Sequence, residues 1–240
     1  MMLKIDKMDI YNKIYDFCKV REDKTTSHNR YLFIINLLEE LNIDYKIIKG
    51  ERCGYNFTNI FVPGDSDKFL SAHYDIINKM SDNANDNSAS VINSIDYKLK
   101  NKNINLLILD GEEPPYFGAG SEIISDYIKK NEIKVKWILN LELTGFGRYF
   151  FIDDYNTNLS NYLRNLYKNN LIIIDTPFND SIIFRKEGLE SNVLTTFEMV
   201  NEKMDISHLS NCHSMLDSLS TIKVDDMKFF VENTLHNICK

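Results

Sequence analysis

Cysteine is scarce and scattered. The four residues, Cys18, Cys53, Cys212 and Cys239, form no Cys-x-x-Cys pair, so neither a zinc ribbon nor a disulfide framework is indicated. Basic residues are outnumbered, 28 Lys and Arg against 35 Asp and Glu, for a formal charge of −7. The basic stripe that a nucleic-acid binder needs to displace counterions is therefore missing. No segment approaches the roughly 20 consecutive apolar residues of a membrane span. The opening residues MMLKIDKMDIYNKIYDF mix charged and apolar side chains, with neither the apolar run nor the small-residue cleavage site of an export signal. The expectation is a cytoplasmic protein with no nucleic-acid or membrane partner. There are only four prolines, Pro63, Pro114, Pro115 and Pro177, each where a loop is expected, and no Gly/Pro/Ser-rich linker, repeat or low-complexity tract divides the chain. One domain over 1–240 is the simplest count, with N-terminal helices and a first strand in 1–50 and the core in 51–240. Oligomeric state cannot be read from these features.

What is present is ordinary for a globular chain: 240 residues, 43% hydrophobic and 26% charged, enough to bury a core. Apolar residues at helical spacing predict helices in MDIYNKIYDFCKV and HNRYLFIINLLEELN, and Gly50 is expected to close the strand YKIIK. NFTNIFV and KFLSAH read as strands. From there helix and strand alternate: NSASVINSIDYKLK helical, INLLILD a buried strand, GSEIISDYIKKN helical, IKVKWILNLEL a strand, LSNYLRNLYKNN helical, SNVLTTF a strand and VDDMKFFVENTLHNI a terminal helix. The aromatic-rich GRYFFIDDY reads as strand and turn packing. This alternation predicts an α/β domain with a mixed, mostly parallel sheet between helices.

Ligands of such sheets bind beyond the carboxyl ends of the strands. KFLSAH ends at His73. INLLILD runs into Gly111, Glu112 and Glu113, and KWILNLEL reaches Glu142 before Thr144 and Gly145. Asp86 opens a helix after a polar loop, and His213 lies in the late SNCHSMLD segment. Taken singly, each has a plainer reading. His73 could be a hydrogen-bonded structural histidine, Asp86 a helix cap, and Glu112–Glu113 a solvated turn. Glu142 resists that treatment, because a carboxylate inside an apolar strand is expensive unless paired or metal-bound. Together, His73, Asp86, Glu113, Glu142 and His213 make two imidazoles and three carboxylates. That is too many for one tetrahedral zinc with an open position, and it suits two metals sharing one carboxylate. Mixed imidazole and carboxylate donors favour zinc, with cobalt or manganese also fitting. His28, His208 and His236 are read as structural or exposed.

In this order, SAHYD, NANDNSAS, LDGEEPPYFGAGS, NLELTG and NCHSMLDS, spread over roughly residues 59–218, resemble the motifs of the co-catalytic dizinc aminopeptidases. That family includes aminopeptidase Y and the bacterial leucyl aminopeptidases, and it is related to the glutaminyl cyclases. The resemblance implies a zinc-exopeptidase-like fold. It also implies two zinc ions: His73 on one, Asp75 orienting that imidazole, Asp86 bridging, Glu113 and His213 on the other, and Glu142 where Asp is usual. Glu112 would be the general base, and the substrates short peptides cut at the N-terminal residue. EEPPY carries two prolines where the family runs on to a Gly-containing turn. TPFNDSIIF resembles the family's Ser-Asp-His loop without its His or nearby Tyr, leaving only Tyr155 as a candidate oxyanion partner. The alternatives are a single-zinc, glutaminyl-cyclase-like enzyme or non-peptide amidase, and a non-catalytic member that binds metal or peptide.

Overall fold

The computed structural model describes residues 9–22, 28–77, 81–205 and 210–240, so His208 lies outside the described residues. Two helices, α1 (Asn12–Cys18) and α2 (His28–Glu40), open the described chain. Their apolar residues recur every three to four positions, and Ile14, Phe17, Ile34, Leu37 and Leu38 are buried. Strands β1 (Lys46–Arg52) and β2 (Tyr55–Val62) form a hairpin, followed by β3 (Lys68–His73). A π-helical turn, Ala84–Ser88, leads into α3 (Ala89–Lys100). Then come β4 (Asn105–Leu109), α4 (Ala119–Lys130), β5 (Trp137–Glu142), β6 (Tyr149–Asp153) and α5 (Asn158–Tyr167). β7 (Leu171–Ile174), α6 (Asp180–Lys186), β8 (Ser191–Val200) and the short β9 (Lys203–Asp205) follow. The chain closes in α7 (Val224–Phe229), which passes through a π-helical stretch, Phe230–Leu235, into α8 (His236–Cys239).

The sheet order is β1-β2-β4-β3-β5-β8-β6-β7, with β9 on β8, giving nine strands. β4, β3, β5 and β8 run parallel at the centre, whereas β1–β2, β2–β4 and β6–β8 pair antiparallel towards the edges. The mixed α/β architecture expected from the alternation is the one observed. Successive side chains on the central strands face opposite helix layers. Leu70, Leu106 and Leu139 enter the larger cluster with α1, α2, α3 and α7, while Phe69, Leu107 and Ile138 meet Ile124 and Phe184 from α4 and α6.

One expected boundary is wrong. Gly50 does not close β1; the strand continues to Arg52 and pairs with β2 throughout. The glycine is there because α4 crosses it: a Cβ at Gly50 would fall 2.8 Å from the Ile123 side chain. The predicted strand around IKVKW also starts later, at Trp137, and β7 and α6 were not foreseen.

Candidate metal centre

The parallel strands bring their carboxyl ends together, and the polar residues picked out in the sequence stand there. β3 ends on His73 and β5 on Glu142, with Thr195 of β8 in register beside Glu142. β4 gives way after Leu109 to a turn in which Gly111 takes φ +79, swinging Glu112 and Glu113 back over the sheet edge. Phe57 closes over that glycine, and a Cβ would lie 2.6 Å from its ring. Asp86 sits in the π-helical turn that begins α3, and His213 reaches in from the late loop at φ +61.

Two carboxylates that stand behind the cluster pin its loops. Asp75 accepts the backbone N–H groups of Glu112 (3.2 Å) and Glu113 (2.9 Å), and its Oδ1 is 3.3 Å from His73 Nδ1. Asp217 accepts the N–H groups of Asn85 (2.9 Å) and Asp86 (3.0 Å) in the same way. Asn140 donates to Glu142 Oε1 at 2.8 Å and accepts from Ser71 Oγ at 2.8 Å, which fixes the Glu142 carboxylate.

Three donor pairs lie at separations that a shared metal could bridge. Ligands about 2.0–2.1 Å from a tetrahedral zinc lie about 3.3 Å from one another. His73 Nε2 is 3.4 Å from Glu142 Oε2, and His213 Nε2 is 3.5 Å from Asp86 Oδ1 and 2.9 Å from Glu113 Oε1. Donors of His73, Asp86 and Glu113 also lie within 4.8 Å of one another, as do those of Asp86, Cys212 and His213, so Asp86 belongs to both groups. The residues present fit zinc.

The cluster is also strongly acidic. Asp75, Asp86, Glu112, Glu113, Glu142 and Asp180 are all buried, and among the described residues no Lys or Arg lines the cavity they surround. Burial pushes the Glu113 and Asp180 carboxyls up to about 7. It pushes Glu112 well above the usual carboxylate range, where Glu142, Glu113 and Asp180 add to it and His73 opposes it. Burial disfavours the His73 imidazolium, yet Glu142 and Glu112 outweigh that and raise it well above 6.5. Hydrogen bonds to Asp86 and Glu113 lift His213 to about 10. Carboxylates that cannot all ionise unaided, facing imidazoles held as cations, are a cluster a divalent ion would relieve.

The cavity measures about 460 Å³, ample for a small side chain and its neighbouring peptide. The metal-binding candidates and Glu112 form its polar side, and Phe117, Leu143, Phe151, Ile174, Phe178 and Val193 its apolar wall. Thus His73, Asp75, Asp86, Glu112, Glu113, Glu142 and His213 are all brought to one place. Tyr155 is not: it is half exposed, stacks on Arg185 and does not line the cavity. His28 and His236 are exposed and apart from the cluster. Asp217, Asp180, Cys212 and Arg30, whose contacts reach the site, were not singled out from sequence. Of these, only Asp217 carried a usable signal, lying four residues after His213 in a quoted motif.

Against known proteins, no family model matches the chain, and no curated protein matches its sequence. Solved structures do share the fold. The LapA aminopeptidase of Legionella pneumophila superposes with a TM-score of 0.74 at 15% identity, over 92% of this chain and 66% of that one. The zinc aminopeptidase BSAP from Bacillus subtilis gives 0.58 at 17% identity, over 73% and 48%. The glutaminyl cyclase of Porphyromonas gingivalis gives 0.75 at 15% identity, over 96% of each chain. The chain therefore spans less than two-thirds of the length of these aminopeptidases and nearly all of the cyclase. Its fold is the one that zinc aminopeptidases and glutaminyl cyclases have in common. No helix among the described residues is long and apolar enough to cross a membrane.

Proposed function

We propose that the chain is a zinc-dependent aminopeptidase that releases the N-terminal residue of short peptides. His73, Glu142 and Asp86 would hold one zinc, and Asp86, Glu113 and His213 a second, with Glu112 as general base. The observation that carries this reading is the convergence of these six side chains at one end of the sheet, with donor separations near a tetrahedron's edge. Zinc bound there supplies Lewis-acid polarisation of a carbonyl and a water acidified towards about pH 7.

The chain's own residues do the rest. Glu112, with its carboxyl raised by burial, is suited to accept a proton from the attacking water and pass it to the departing amine. Asp75 holds the Glu112 backbone and the His73 ring together, so base and ligand keep one geometry. Glu112, outside the proposed ligand set, offers a carboxylate to a free α-amino group, while among the described residues no Lys or Arg lines the cavity to hold a terminal carboxylate. That asymmetry favours cutting at the amino end. The apolar wall opposite suits an apolar first side chain.

The test is zinc content measured beside release from aminoacyl-arylamides, with and without a chelator. Glu112→Gln is expected to lower turnover by about 10²–10⁴ with zinc content unchanged; retained turnover at full zinc would remove Glu112 from its role. A second reading, cyclisation of N-terminal glutamine at a single zinc, rests on the fold shared with the Porphyromonas gingivalis glutaminyl cyclase at a TM-score of 0.75. One zinc per chain with turnover of a glutaminyl substrate alone selects it. Two zincs with leucyl release select the peptidase.

A further inference from the structure

The four cysteines of this chain have different surroundings. Cys18 lies in the main hydrophobic core, Cys239 packs against it, and Cys53 is exposed in the β1–β2 turn. Cys212 does neither. It lines the cavity of the candidate metal centre, and its Sγ is 2.8 Å from Asp86 Oδ1. His213 Nε2 stands 3.5 Å from that same oxygen.

Cys212 and His213 lie in a turn, where neighbouring side chains need not diverge as they do along a strand. His213 itself adopts φ +61, in the left-handed region that histidine enters more readily than most side chains. The outcome is a mixed donor set in which Sγ, imidazole nitrogen and carboxylate oxygen all lie within 4.8 Å of one another. Glu113 Oε1 lies 2.9 Å from His213 Nε2, and its carboxylate groups with His73 and Asp86.

Resting on the two-metal reading above, we propose that Cys212 is a thiolate ligand of the second metal, so that Asp86, Glu113, Cys212 and His213 surround it completely. The Cys212 thiol donates to Asp86 Oδ1. On loading, the S–H bond is exchanged for a sulfur–metal bond and one proton leaves to solvent. Four protein ligands make a closed site of the structural kind, whereas His73, Asp86 and Glu142 leave the first site an open position. The two metals then have separate duties: the Cys212 site is a tight, zinc-preferring anchor, and the chemistry belongs to the site beside Glu112. A soft sulfur donor sets that anchor against manganese and magnesium, which an all-oxygen and imidazole set would tolerate better.

The test uses the full chain stripped by chelator and titrated with Co²⁺, comparing the parent with Cys212→Ser and Cys212→Ala. The expected result is a near-ultraviolet thiolate-to-cobalt charge-transfer band in the parent, absent from both variants, while the visible cobalt bands persist. Calorimetry in buffers of different ionisation enthalpy should show one proton fewer released in the variants. Zinc affinity of the tighter site should fall by at least about tenfold, the lower end of what loss of even an outer contact produces. Two bound cobalt ions with no charge-transfer band, or with identical spectra in parent and variants, overturn the role of Cys212 and leave the metal centre standing. If neither cobalt nor zinc binds the parent chain, both the ligand assignment and the metal reading fall together.

Discussion

Arg30 is a long cation on α2, yet it is fully buried, and replacing it tests how the ligand loops are held. Its guanidinium lies 4.0 Å from the Phe17 ring centroid. Nε donates to the Tyr74 carbonyl at 2.8 Å, and Nη2 donates to Asn87 Oδ1 at 2.5 Å and Ser88 Oγ at 2.9 Å. Tyr74 is the residue between His73 and Asp75, and Asn87 and Ser88 follow Asp86. The fork therefore ties the β3 end to the π-helical turn. Burial lowers its pKa to about 10, which leaves it charged at neutral pH, with Asp86 and Asp75 in the field it creates.

Arg30→Met keeps the volume and packing against Phe17 but strands three buried acceptors. At roughly 1–3 kcal/mol for each unsatisfied group, the loss is about 3–9 kcal/mol. Part is returned because a guanidinium no longer has to be desolvated, a contribution of several kcal/mol for a buried ion. A net destabilisation of about 2–4 kcal/mol is expected, within the roughly 5–15 kcal/mol of an ordinary domain, so the variant should still fold. Arg30→Lys keeps the charge without the fork and should recover only part of the loss. The assays are urea unfolding of the chelated protein and zinc competition against a chromophoric chelator. Affinity should drop on the order of 10–100-fold, since the struts behind ligands matter nearly as much as ligands. A methionine variant within about 0.5 kcal/mol of the parent, with unchanged zinc affinity, would refute the strut.

Asp217→Asn leaves one carbonyl oxygen where two carboxylate oxygens receive the Asn85 and Asp86 N–H groups, so a loss of about 1–3 kcal/mol with weakened zinc binding is expected by urea midpoint and chelator competition; an unchanged midpoint counts against the clamp. The Asp180 and Asp110 carboxyls are raised by burial from 3.8 to about 7, so between about pH 4 and 7 the folded metal-free chain holds protons that the unfolded chain has released, and stability falls as pH rises through that window. The chelated protein should accordingly melt lower at pH 7 than at pH 5 and Asp180→Asn should flatten the slope, whereas a Tm that climbs over this interval contradicts the sign. Phe178 packs edge-on to Phe117 at 5.6 Å in the apolar wall, so Phe178→Ala should lower kcat/KM for a leucyl-arylamide by roughly tenfold and spare the alanyl substrate; equal losses on both would remove it from side-chain recognition.

The sequence disclosed the residues whose position follows from chain order. His73, Glu112, Glu113 and Glu142 follow or end recognisable strands, and parallel strands must deliver their ends to one edge, so their meeting could be anticipated. What escaped depended on a contact made across the fold. Gly50 looks like a stop because glycine usually is one, and only the crossing of α4 explains it mid-strand. β7 has four residues with its central pair exposed, and α6 has seven, too short for either period to register. Arg30 on an amphipathic helix reads as a solvent-facing residue, and nothing in HNRYLFIINLLEEL tells that the face carrying it turns inward over Phe17. Cys212 carries no signal in the letters CHS, because its approach to Asp86 is a contact made across the fold.

The two ligand loops are built alike, and the likeness bears on how the site works. In each, a carboxylate outside the ligand set accepts two successive backbone N–H groups: Asp75 those of Glu112 and Glu113, Asp217 those of Asn85 and Asp86. Paired amides directed at one anion form a fixed positive concavity, and here the protein fills it with its own carboxylate. Glu113 and Asp86 are thereby placed by hydrogen bonds that need no metal, and Arg30 ties the β3 end to the turn that carries Asp86. Metal binding then need not supply the free energy of folding these loops, in contrast to small domains whose zinc organises the chain. An ion bound there would neutralise Glu112 and Glu113, which burial makes reluctant to ionise. Affinity in such a site is governed by charge and donor type, which is why one sulfur among oxygens and nitrogens would distinguish one metal position from the other.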